Sequence, residues 1–121
     1  MRYGVSEEMV EQAGVETLKE LGWLFLAGPS IAPDGPSPQR PSFSDVVLVK
    51  RLEMALAKLN PDAPEVARNE AVRQVLVSAT PSLVEENRRL HRLMTEGVDI
   101  EYRADDGRIV GDKVWLIDFS N

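Results

Sequence analysis

The amino-acid sequence predicts an α+β fold: several helices, a short strand and a C-terminal β-hairpin. Three observations carry this expectation. Over residues 82–97, Leu83, Leu90 and Met94 recur at helical spacing, Ser82 and Glu85 are placed as a capping box, and Gly97 supplies a stop. Directly after it, Val98, Ile100 and Tyr102 alternate with Asp99, Glu101 and Arg103 as in a half-buried strand, and Asp106-Gly107 is a hairpin signal. Finally, Val114, Trp115, Leu116, Ile117 and Phe119 are almost continuously apolar, which predicts a return strand covered on both faces. A two-stranded hairpin cannot offer such a place by itself. Residues 1–121 are therefore expected to be the N-terminal portion of a domain whose remaining strands lie outside them.

Composition limits the function classes. A length of 121 residues suits one domain with a modest core, and 43% hydrophobic residues is ordinary for a globular chain. A formal net charge of -6 argues against a surface that wraps nucleic acid all round, although a local basic patch is compatible with it. The absence of cysteine excludes disulfides, thiolate chemistry and cysteine-ligated zinc. The first residues lack the apolar centre of a signal peptide and no apolar run approaches the ~20 residues of a membrane span, so a cytoplasmic location is expected.

In chain order, Ser6 opens an amphipathic helix, with Glu7 and Glu8 in its first turn to suit the helix dipole. Val10, Ala13, Gly14, Leu18 and Leu21 share one face, and Glu16 and Glu20 fall opposite. Glu7 and Glu11 lie one turn apart on the flank of the apolar face. Gly22 ends this helix, and residues 23–27 (WLFLA) read as a short buried strand. Residues 28–41 hold five of the eight prolines, which predicts a long connector pinned by fixed backbone angles. Ser42 or Ser44 can cap a second long helix with Val49, Leu52, Leu56 and Leu59 as its buried stripe, ended by Asn60-Pro61. Pro64 suits the first turn of a third, whose apolar face is expected at Val66, Val72, Val75 and Leu76. These two helices form a hairpin that packs on the sheet or its neighbours.

The search for chemistry is mostly negative. No GxxxxGK[ST] or GxGxxG is present to cradle a nucleotide phosphate, and no GxSxG elbow presents a serine. His91 has no second histidine to make a transition-metal site and is expected to be packed or hydrogen-bonded. Arg88, Arg89 and Arg92, with Arg103, Arg108 and Lys113 on or beside the hairpin, either hold phosphates or, with acids interspersed, form a solvated surface. Asn87, inside the apolar stripe of the last helix, is expected to be a buried amide that fixes the helix against backbone.

Four stretches taken together resemble the beginning of the restriction (R) subunit of type I restriction-modification enzymes. They are SEEMVEQAGVETLKELGW, GPSIAPDGPSPQRPSFSDVVL, PSLVEENRRLHRLMTEGVDIEYR and DGRIVGDKVWLIDF, in this order and at similar spacings from Ser6 to Asn121. The resemblance implies the first part of a restriction-endonuclease-like α/β nuclease domain of the PD-(D/E)xK type. In that family an aspartate and an E-x-K pair bind Mg2+, an ATP-driven DNA translocase follows, and a later region docks on the methyltransferase. DNA is the partner so implied, with the methyltransferase and specificity subunits in the full-length family; Mg2+ and ATP are cofactors of the full-length family, and no cofactor is expected in this part. The family's active site often includes a glutamate of the first helix, and Glu11 is the position that corresponds to it. That makes Glu11 the candidate catalytic residue, against the alternative of a flank residue with no role.

The family's Asp and E-x-K strand come after the LIDF stretch, and no substitute occurs within residues 1–121. Asp34 and Asp62 follow prolines but precede no E-x-K, and Glu101-Tyr102-Arg103 has arginine where lysine is required. A Mg2+ site needs several convergent oxygens. Two readings follow: a portion of the restriction subunit that contributes scaffold to a DNA-cleaving domain and is inactive by itself, or a stand-alone, non-catalytic interaction or DNA-binding module.

Overall fold

The computed structural model describes residues 4–120. In chain order these form α1 (Glu7–Glu20), α2 (Gly28–Ile31), α3 (Val49–Leu59), α4 (Glu65–Leu76), α5 (Leu83–Glu96), β1 (Val98–Arg103) and β2 (Ile109–Val114). This is the expected α+β composition of helices followed by a C-terminal antiparallel hairpin. Two compact units divide it, Met1–Phe43 and Ser44–Asn121.

In the first unit, α1 starts where the sequence places it. The Ser6 hydroxyl accepts the Met9 N–H at 3.2 Å, and Gly22 takes φ 95° just past the last turn. None of its residues is buried. Residues 23–27 correct the sequence reading, because they form no strand: Trp23, Phe25 and Leu26 are at least half exposed and Leu24 almost wholly so. An apolar run signals burial, but only a partner strand makes it a ladder. The proline-rich connector is pinned, as expected. Pro29 sits in the first turn of α2, and the N–H groups of Gly35, Ser37 and Gln39 bond back to the carbonyls of Ala32, Ser30 and Ile31.

The second unit holds the core. Leu56 of α3, Ala67, Ala71 and Val72 of α4, Val98 and Ile100 of β1 and Val114 of β2 are buried together with Ala63. Val49, Leu52, Leu93, Tyr102 and Leu116 pack against them. Burying a leucine or valine side chain in this way stabilises by roughly 1.5–3 kcal/mol. The stripe of α3 is the one its spacing predicts, but neither Ser42 nor Ser44 caps it, since the helix starts from Leu48. The buried face of α4 also differs from expectation. Val66 and Leu76 are exposed, and the alanines at 67 and 71 make the contact surface, because short side chains let a helix lie close on β1.

In the hairpin, Val98 pairs with Val114 and Arg103 with Ile109. The connection 104–108 closes through Ala104 N–H to Arg108 O at 2.8 Å, and Gly107 adopts φ 86°, which glycine takes without steric cost. The return strand is a second correction. It ends at Val114, and the apolar residues Trp115, Ile117 and Phe119 lie beyond it, each at least 40% exposed.

Candidate functional site

Glu11, the sequence-derived candidate, stands on the second turn of α1 and is exposed, as are Glu7, Glu16 and Glu20 on the same helix. Its carboxylate takes part in no ion pair among the described residues, whereas Glu16 meets Lys19 at 3.8 Å. Among the described residues no group of three or more histidine, aspartate or glutamate side chains is placed to hold a metal ion. The donor set of the described residues therefore does not fit a Mg2+ site by itself, since a hard cation needs several oxygens converging on one point.

The second unit carries a more built arrangement around the end of the hairpin. Asn60, the residue that ends α3, is buried to 8% exposure and is the feature the sequence reading passed over as a helix stop. Its Oδ1 accepts the Trp115 N–H at 2.8 Å, and its Nδ2 donates to Trp115 O at 2.9 Å and to Leu56 O at 3.0 Å. The Trp115 ring lies edge-on to Phe119, with centroids 6.3 Å apart, and Lys113 Nζ stands 5.5 Å from it. Beside it a Cβ on Gly97 would be tight, 3.0 Å from the Lys113 side chain and 3.2 Å from the indole, and the φ of 81° there favours glycine. An apolar hollow of about 290 Å³ opens beside this point, lined by Leu59, Trp115, Ile117, Phe119, Asp118 and Ser120. The Ser120 hydroxyl and N–H both donate to Asp118 Oδ1, and the hydroxyl first of all holds that carboxyl below its ordinary range.

The buried amide expected from the sequence, Asn87, is not one. Asn87 is exposed, and Leu83 of the same stripe is 80% exposed. His91 is likewise exposed rather than packed. Of the stripe Leu90 is half-buried while Leu83 and Met94 are exposed; Leu93 packs on the core, and polar side chains anchor α5 beside it. Arg89 donates to Gln74 O at 2.6 Å and Val77 O at 3.0 Å, and ion-pairs with Glu86 at 3.0 Å. Glu86 in turn accepts the N–H groups of Ala79 and Thr80. Arg89's hydrogen bonds, ahead of these N–H groups, depress the Glu86 carboxyl to about 2. The capping box is partly rerouted: Ser82 Oγ accepts the Glu85 N–H, but Glu85 accepts from the Thr80 hydroxyl, which takes the Ser82 N–H.

The remaining cations of α5 and the hairpin favour the solvated reading. Arg92 lies 3.9 Å from Glu96, Arg108 2.6 Å from Asp106 and Lys113 3.4 Å from Asp99, while Arg103 straps the turn through Gly107 O. No described helix is long and apolar enough to cross a membrane.

Comparison with known proteins places these features in a family. The family described as type I restriction enzyme R protein N terminus matches residues 4–121. The type I restriction enzyme HindI endonuclease subunit of Haemophilus influenzae is 32% identical over 117 residues, which is 97% of this chain and 11% of that protein. The putative type I restriction enzyme MjaIXP endonuclease subunit of Methanocaldococcus jannaschii is 26% identical over 113 residues, 93% of this chain and 11% of that protein. The chain thus spans about a tenth of the length of these curated relatives. No solved structure matches it.

Proposed function

The chain belongs to the family of the type I restriction enzyme R protein N terminus, and from that premise we propose that it forms the opening part of a DNA-cleaving domain in a restriction subunit. The observation that supports this most is the extent of the match, which runs through α1 and the hairpin alike, from residue 4 to 121. In this reading the chain supplies scaffold and the carboxylate of Glu11, while the ligands of Mg2+ and the ATP-driven machinery belong to the remainder of the subunit. DNA is the substrate, and the methyltransferase and specificity subunits are the partners of the whole enzyme. The exposed apolar residues 23–26 and Trp115, Ile117 and Phe119 suit this role, because further strands of the domain would cover them.

The placement of Glu11 fits a supporting carboxylate: it is exposed and free of ion pairs among the described residues, so it stays hydrated until a cation or further strands approach. The test uses a complete restriction enzyme carrying this sequence. Glu11→Gln should lower Mg2+-dependent DNA cleavage by about 10- to 100-fold, as loss of an outer carboxylate at a metal site does, with ATP-driven translocation unchanged. Full cleavage by the Gln variant would return Glu11 to a surface residue. The 121-residue chain alone should not cleave duplex DNA with Mg2+, with or without ATP.

A further inference from the structure

We propose that Asn60 is a positioning residue, whose side-chain amide stands in for a neighbouring strand and fixes the course of the chain as it leaves β2. The pairing of β1 with β2 ends at Val98 and Val114. At the next residue, Trp115, the backbone N–H and C=O are both taken by one primary amide, the N–H by Oδ1 at 2.8 Å and the C=O by Nδ2 at 2.9 Å. This is the two-way exchange that a directly opposed residue makes in an antiparallel ladder. The amide thus orders one residue beyond the reach of β1.

The amide is itself held. Asn60 N–H donates to Leu56 O at 2.9 Å, Nδ2 donates a second time to the same oxygen, and Asn60 O accepts the Ala63 N–H. At 8% exposure it competes little with water, so its bonds to Trp115 are directional and pre-set. Trp115 passes this order on through its ring, which stands over Gly97 and edge-on to Phe119. The nearest replacements cannot do this in place. Aspartate would turn an acceptor towards two carbonyl oxygens, leucine would leave the Trp115 N–H and C=O without partners, and glutamine would displace the amide by a methylene.

The role in cleavage rests on the reading that this chain opens a DNA-cleaving domain; the geometry does not. In the protein, Asn60→Leu and Asn60→Asp should each speed hydrogen exchange of the Trp115 amide about tenfold, while Val98 and Ile100 keep their protection. Unchanged exchange at Trp115, or equal acceleration at all three amides, would overturn the proposal. In a complete restriction enzyme carrying this sequence, Asn60→Asp should reduce DNA cleavage about tenfold with ATP-driven translocation retained, as expected when reacting groups are slightly misplaced. Released exchange at Trp115 with full cleavage would remove the role in the reaction. An unsubstituted enzyme that fails to cleave DNA would instead refute the functional reading itself.

Discussion

The two units reach order by different means. In Ser44–Asn121, apolar side chains from α3, α4, β1 and β2 meet in a closed core, with Leu56, Val98 and Val114 fully buried. In Met1–Phe43, α1 is also amphipathic in sequence, though less sharply than α3, yet it buries none of its residues, and the connector after it is held by backbone hydrogen bonds around α2. Hydrophobic patterning therefore states what a face can bury, and the partner decides whether it does.

The same chemical change in each unit gives the largest contrast. Leu56→Ala should cost about 2–5 kcal/mol in urea unfolding, because it empties a fully buried site between α3 and its neighbours. Leu18→Ala on α1, where the side chain is half exposed, should change stability by no more than about 0.5 kcal/mol. Comparable losses at both positions would mean that the α1 face is covered in solution.

A smaller change should unsettle the first unit through its backbone. A Cβ on Gly35 would overlap the carbonyl oxygen of Pro29 and stand 2.7 Å from that of Ser30. These are fixed atoms of the α2 turn, so Gly35→Ala should open the connector at a cost of about 1–3 kcal/mol. Limited proteolysis should then cut within residues 28–41 faster, with the exchange protection of Val98 and Val114 unaffected. Unaltered proteolysis would show that the turn relaxes freely.

Local signals were legible in the sequence, and signals that depend on distant partners were not. Ser6, Ser82, Gly97 and Asp106-Gly107 act on backbone groups within a few residues, and each does what its type and position predict. The apolar runs 23–27 and 114–119 have the length and composition of strands, but a ladder requires a second backbone that a single segment does not specify. Glu11 was singled out through the resemblance, since an exposed helical glutamate carries no chemical mark of its own. Asn60 carries no local signal of its role, because its partner, Trp115, lies 55 residues away in the chain.

A milder prediction concerns pH and separates the second unit's polar anchor from its core. Glu86 has its carboxyl at about 2, against an ordinary 4.5, chiefly through the hydrogen bonds of Arg89. A depressed carboxyl stabilises the fold fully above its unfolded value and loses that contribution as pH falls through the folded one. The thermal stability of the wild type should therefore exceed that of Glu86→Gln at pH 6, and the difference should shrink between pH 4.5 and 2. A difference that stays constant over this window would show that the anchor acts by shape rather than charge.

The smallest expected effect compares two asparagines that sequence alone would rank the other way. Asn87 occupies the apolar stripe of α5, between Leu83 and Leu90, and Asn60 stands at a helix end. Burial reverses that order: Asn87 is exposed, and Asn60 is buried with both amide atoms bonded to Trp115. Asn87→Ala removes no bond on which the core depends, and alanine favours a helix interior over asparagine by a few tenths of a kcal/mol. The substitution should leave the urea midpoint unchanged or raise it slightly, by no more than about 0.5 kcal/mol in stability. A loss above about 1 kcal/mol, as for a buried amide whose partners are left unpaired, would place Asn87 in an interface that forms in solution and restore the role its position in the stripe suggests.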